Sequence, residues 1–142
     1  MTLALKEANK AREIDEVPIG CVIVKDNKVI ARGHNLRESK QDPTLHAEMV
    51  AIRKASKKLK SWRLEGCDIY VTIEPCIMCS GAIIQSRIKK VVYGAKSYQD
   101  GAIESAIKIF ETKGFNHYPQ TLYLKDSTYC SKIISDYFKS KR

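Results

Sequence analysis

No stretch of this sequence is apolar for long enough to cross a membrane. The longest apolar run, Ile19 to Val24, has the length of a strand, far from the roughly 20 residues a spanning helix needs. Internal repeats, low-complexity tracts and linkers rich in proline, glycine or serine are also missing, so a single domain over residues 1–142 is expected. The start, Met1-Thr2-Leu3-Ala4-Leu5-Lys6-Glu7, carries charges where a secretory leader needs an apolar core, which points to a cytoplasmic protein. The five cysteines make no even-numbered disulfide framework. Two form a Cys-x-x-Cys pair, Cys76 and Cys79, and the others, Cys21, Cys67 and Cys130, lie apart as small buried side chains of a reducing compartment would. Acids are scarce: 16 against 25 bases, for a formal net charge of +9 and a pI near 9.3. That imbalance favours a polyanionic partner, nucleic acid first.

What is present suffices for a packed core, since 44% of the 142 residues are hydrophobic. Ala4, Leu5, Ala8 and Ala11 at helical spacing predict an amphipathic helix over 2–14, ended by Val17-Pro18. Ile19–Lys25 and Lys28–Gly33 read as a β-hairpin closed by Asp26-Asn27. Asp42-Pro43 reads as an N-cap with proline at the first helical position, opening a helix that carries His46 and Glu48 and runs toward Leu59. Strands follow at 69–73, 90–94 and 121–124, with helices over 76–86 and 127–138. Strands alternating with helices predict an α/β sheet covered by helices on its faces.

One constellation carries chemistry. His46-Ala47-Glu48 is answered thirty residues later by Pro75-Cys76-Ile77-Met78-Cys79. One histidine and two thiols make a donor set that suits Zn²⁺, one ion per chain. Three protein ligands rather than four leave a coordination position for water, as catalytic and not structural sites do. Cys76 and Cys79, three apart, share a helix face, and a helix N-terminus favours the thiolate that binds metal. His46 and Glu48 are two apart and diverge in mid-helix, so both motifs are expected at helix N-termini facing each other. Glu48 then stands beside the open position as the proton shuttle of a hydrolysis. His-x-Glu with Pro-Cys-x-x-Cys is the signature of zinc nucleobase deaminases. A closed structural zinc site leaves Glu48 unexplained, and a redox Cys-x-x-Cys leaves His46 unexplained.

The flanking residues are more specific. Glu16-Val17-Pro18-Ile19-Gly20, Gly33-His34-Asn35, Asp42-Pro43-Thr44-Leu45-His46-Ala47-Glu48, the run from Glu74 to Ile88, and Val91-Val92-Tyr93-Gly94-Ala95 resemble the bacterial tRNA adenosine deaminase family. The resemblance is strong over residues 1–95 and weakens beyond. It implies a three-layer α/β/α fold of the cytidine deaminase type, with a central mixed five-stranded sheet and helices on both faces. It also implies a homodimer that converts adenosine to inosine at the wobble position of a tRNA anticodon loop. By this resemblance His46, Cys76 and Cys79 bind zinc, Glu48 shuttles the proton, and Asn35 hydrogen-bonds the flipped-out nucleotide. Phe115-Asn116-His117 resembles a segment whose asparagine reaches the anticodon loop. Tyr137-Phe138-Lys139 and Arg142 resemble a C-terminal helix whose aromatic and basic side chains hold flanking nucleotides, as unpaired RNA bases require.

Alternatives stay open at this point. Asn35 also suits a plain turn, and Tyr137-Phe138 the core packing of a terminal helix. His34 and His117 read as structural, because the ligand set is already complete. The chain departs from the family between Ala95 and Phe110: Ser97 and Gln99 replace a charged pair, and Glu104 stands where glycine is expected. Guanine deaminase-like sequences share Asp-Pro-Thr-x-His-Ala-Glu, so a free-base or nucleoside deaminase acting on guanine, cytosine or cytidine is the competing enzyme. Ser80-Gly81-Ala82 through Ser86-Arg87-Ile88, Phe138 and the basic balance favour tRNA. A non-catalytic, zinc-stabilised RNA-binding subunit is the third reading, and it has no use for Glu48.

Overall fold

Asp26 and Asn27, both left-handed with φ of 50° and 61°, close a hairpin between β1 (Gly20–Lys25) and β2 (Lys28–His34), a turn whose twist matches that of its strands. The computed structural model, which describes residues 1–142, extends this hairpin into one sheet in the order β2-β1-β3-β4-β5. The added strands are β3 (Cys67–Val71), β4 (Lys90–Tyr93) and β5 (Gln120–Tyr123). β1 runs antiparallel to β2 and β3, whereas β3, β4 and β5 are mutually parallel. The sheet is therefore mixed, as expected.

Two glycines show which helices lie on which face. Gly20 and Cys21 are neighbours in β1 and so point to opposite sides. A Cβ on Gly20 would stand 1.9 Å from the Ala4 carbonyl oxygen, which places α1 (Thr2–Glu13) against that side. Gly33 pairs with Cys21 and points the other way. There a Cβ would come within 2.4 Å of the Ala47 carbonyl oxygen of α3 (Ala47–Leu59). Glycine on the strands and fully buried alanines on the helices (Ala4, Ala8 and Ala11; Ala47, Ala51 and Ala55) let both helices pack close. α4 (Ile77–Gln85) lies beside α3, and α5 (Thr128–Ser140) beside α1. The result is the three-layer α/β/α arrangement. Its main core, built around Ile23, Ile69, Val71, Ile83 and Val91, is continuous with the α3 alanines.

The largest correction concerns Asp42-Pro43. Asp42 does not cap α3. Its Oδ1 accepts hydrogen bonds from the Thr44 amide at 2.8 Å and the Thr44 hydroxyl at 2.7 Å, a local turn completed before the helix begins. The N-cap is His46, in extended conformation. An acceptor side chain just ahead of a helical pattern serves either role, so spacing alone does not separate them. A one-turn helix, α2 (Arg37–Lys40), also lies in the connection after β2. α1 stops before Val17-Pro18, at a left-handed Asp15 (φ 62°). No helix is long and apolar enough to cross a membrane.

Candidate metal centre and catalytic pocket

His46 and Cys76 are the N-cap residues of α3 and α4. The two helix N-termini therefore meet, as the two-residue spacing of His46 and Glu48 requires. His46 Nδ1 lies 3.6 Å from the Sγ of Cys76 and 3.6 Å from that of Cys79, and the three donor atoms fall within 4.8 Å of one another. Tetrahedral zinc with Zn–S of about 2.3 Å and Zn–N of about 2.0–2.1 Å demands an S···N edge of about 3.5–3.6 Å. The donor set fits that ion.

Charge within the donor set is coupled. A hydrogen bond from Cys79, assisted by His46, brings the Cys76 thiol down to about 4, and the Cys79 backbone amide adds to the effect. Cys76 is thus a thiolate at a helix N-terminus. The same contact raises Cys79, the donor of that bond, and contact with Cys76 raises His46. Glu48, in the first turn of α3, is only 3% exposed. Burial pushes its carboxyl up to about 7, so it can hold or release a proton near neutrality.

These groups open into a cavity of about 260 Å³ walled by Asn35, His46, Glu48, Cys76, Gln99 and Phe138, among others. That is below the roughly 300–1,000 Å³ of sites for drug-sized ligands and suits a single base. Asn35 is buried, and its Oδ1 accepts the Ala47 amide at 2.9 Å. A backbone N–H can only donate, so the side-chain orientation is determined and the Asn35 NH₂ is left for the cavity. Phe138 is 49% exposed and does not pack in the core. Its neighbour Tyr137 holds α5 down by donating to the Asp15 carbonyl at 3.2 Å.

One expected contact lies elsewhere. Asn116 is exposed and lines a separate cavity of about 510 Å³ with Arg87, Lys89 and Gln120. Lys89 precedes β4 and Gln120 begins β5, whereas Glu74-Pro75-Cys76 follows β3. With those strands parallel, Asn116 and the metal centre occupy opposite ends of the sheet. Arg142 is exposed just beyond α5. His34 contacts Glu7 Oε2 at 3.0 Å and His117 the Ile88 carbonyl at 2.6 Å, both structural as expected. Cys21, Cys67 and Cys130 are buried.

Sequence reasoning passed over Glu74. This carboxylate, 2% exposed, accepts the amides of Ile103 (3.0 Å), Glu104 (2.7 Å) and Ser105 (3.0 Å) on Oε1. On Oε2 it accepts the Ser97 amide at 3.2 Å and the Ser105 hydroxyl. Burial alone would raise its pKa, but these donors outweigh that and hold the carboxyl below the usual range. Glu74 thereby ties the divergent 97–105 segment to the metal centre's own connection. Glu104, the residue standing in place of glycine, pairs with Lys96 at 3.4 Å. Glu74 directly before Pro75-Cys76 was the available signal, but its partners are 23 to 31 residues away.

Residues 1–95 match the family described as the cytidine and deoxycytidylate deaminase zinc-binding region. Over its whole length the chain is 44% identical to the tRNA-specific adenosine deaminase of Bacillus subtilis, covering 88% of that relative. A solved structure from work on tRNA:A34 deaminases, A-to-I editors of the wobble position, superposes with a TM-score of 0.90 at 44% identity, covering 94% of this chain and 96% of that one. The guanine deaminase of Bacillus subtilis gives a TM-score of 0.65 at 32% identity, over 95% and 90% of the two chains. With its His/Cys/Cys centre, its mixed five-stranded sheet and this likeness along its full length, the chain belongs to the zinc-dependent cytidine and deoxycytidylate deaminase family, among the tRNA-specific adenosine deaminases.

Proposed function

We propose that this protein hydrolyses the 6-amino group of adenosine to give inosine at the wobble position of a tRNA anticodon, as a cytoplasmic homodimer of single-domain chains. The observation that carries the chemistry is the buried Glu48 carboxyl in a base-sized cavity, beside three donors spaced for zinc. His46 Nδ1 and the sulfurs of Cys76 and Cys79 would hold the ion. Zinc, when bound, supplies an acidified water, with a pKa near 7. Glu48 takes a proton from the attacking water, gives it to N1 of the adenine ring, and delivers a proton to the departing amine. Asn35 presents its NH₂ to the flipped-out nucleotide, and Phe138 offers its exposed ring for stacking. Arg142 beyond α5 and Asn116 at the far end of the sheet would meet RNA outside the cavity. Ile77, 59% exposed in the first turn of α4, is an apolar residue that a second copy would cover beside the site.

The choice of tRNA over a free base rests on the relatives' specificity and on the net charge of +9. It is tested by incubating the protein with an anticodon stem-loop bearing a wobble adenosine, in parallel with guanine and cytidine. Inosine in the RNA alone supports the reading; ammonia from guanine alone replaces it with guanine deamination.

A further inference from the structure

The exposed side of α3 carries more positive charge than its fold requires. Arg53, Lys54, Lys57 and Lys58 are all exposed and form two adjoining rows, 53/57 and 54/58. Lys57 and Lys58 lie in the last turn, where the helix dipole favours cations. Arg53 and Lys54 lie a turn earlier and gain no such help, and like charges four residues apart oppose helix formation. No carboxylate oxygen lies within 4.0 Å of their charged nitrogens, although Asp42 lies near enough to Arg53 to feel its charge. The seven ion pairs of the chain leave Arg53, Lys54, Lys57, Lys58 and Lys60 without an acidic partner. The track turns at Lys60, left-handed with φ 51°, and ends on Trp62. That ring is 57% exposed, with the guanidinium of Arg63 at 4.8 Å and that of Arg87 at 5.6 Å from its centroid.

Direction matters as much as charge. α3 begins at the metal centre and runs away from it, so at about 1.5 Å per residue Lys60 lies some 20 Å from His46 along the helix. An anion seated along this track would therefore lie about 10–20 Å from the metal centre, within the span of a nucleic acid whose base enters the cavity. We infer that the outer face of α3, from Arg53 to the Trp62 corner, docks the sugar-phosphate backbone of the tRNA beyond its anticodon loop. The inference rests on the reading of the substrate as tRNA. Such a surface adds sequence-independent affinity and leaves base choice to the cavity.

The test replaces Lys54, Lys57 and Lys58 together by glutamine. These are exposed side chains outside the metal centre, and an unchanged unfolding temperature verifies the fold. Binding to full-length tRNA with a wobble adenosine, and to a single-stranded oligonucleotide of the loop alone, is measured across a KCl series. On full-length tRNA the variant's slope of log K against log[KCl] becomes shallower by about 2–3, near 0.9 for each lost phosphate contact. On the loop oligonucleotide the two proteins behave alike, and the turnover number at saturating tRNA is kept. Coincident slopes on full-length tRNA overturn the inference, whether or not inosine forms. Slopes that differ while the unmodified protein makes no inosine overturn the functional reading instead.

Discussion

Glu48 is where sequence position and environment meet. As the second residue of α3 it would be an ordinary exposed helix-start acid; under the strands and beside Cys76 its carboxyl rises to about 7. A general acid–base contributes about 10²–10⁴-fold to rate. Glu48→Gln should therefore keep one zinc per chain by metal analysis and lose at least 10²-fold in inosine formation. Full activity in that variant would remove Glu48 from the mechanism. Asn35 was legible as a site residue only through the family resemblance, because its amide orientation depends on Ala47, twelve residues on. Asn116 was equally plausible on the sequence, yet it lies at the other end of the sheet, since linear order says nothing about which ends of parallel strands coincide.

Elements are held in register by two buried carboxylates. Glu74 ties 97–105 to the connection after β3 through four backbone amides and one hydroxyl. In Glu74→Ala those donors lose their acceptor, and each buried one costs about 1–3 kcal/mol. Amide exchange should accelerate across 97–105, and KM for tRNA should rise several-fold while zinc content holds; unchanged exchange would show that the segment is anchored otherwise. Glu7 joins α1 to β2, accepting Lys10 at 2.7 Å and contacting His34 at 3.0 Å. Burial alone would raise its pKa, but these partners bring it below the ordinary carboxylate range. A depressed pKa stabilises the fold above the unfolded-state value, and that contribution disappears as pH falls through the folded one. Glu7→Gln should thus be less stable than the unmodified protein at pH 7 by about 1–3 kcal/mol. Denaturant melts should show the gap closing below about pH 4. The hairpin at Asp26-Asn27 was legible because two left-handed turn residues are a local demand, whereas the start of α3 was not, because Asp42 satisfies its turn without the helix.

The whole molecule combines a base-sized cavity with a strongly basic exterior, and the two act over different ranges. In the proposed function, hydrogen bonds and stacking inside the cavity would choose the base, and charge outside it would gather the polyanion. The exposed Ile77 beside the cavity suits coverage by a second copy. Sedimentation equilibrium of the zinc-loaded protein should accordingly return twice the chain mass, and Ile77→Asp should lower that association by at least tenfold. A monomer at micromolar concentration would exclude the homodimer.

Sequence by itself determined the candidate ligands, the candidate shuttle carboxylate, most of the order of strands and helices and the class of reaction. Each of these depends on residue type and short spacing, which the chain states directly. Only the tertiary structure decided that Asn35 anchors its amide oxygen on Ala47, that Glu74 organises a segment more than twenty residues away, and that Asn116 lies across the sheet from the cavity. These are relations between distant segments, created when parallel strands and their helices pack, and no local pattern encodes them.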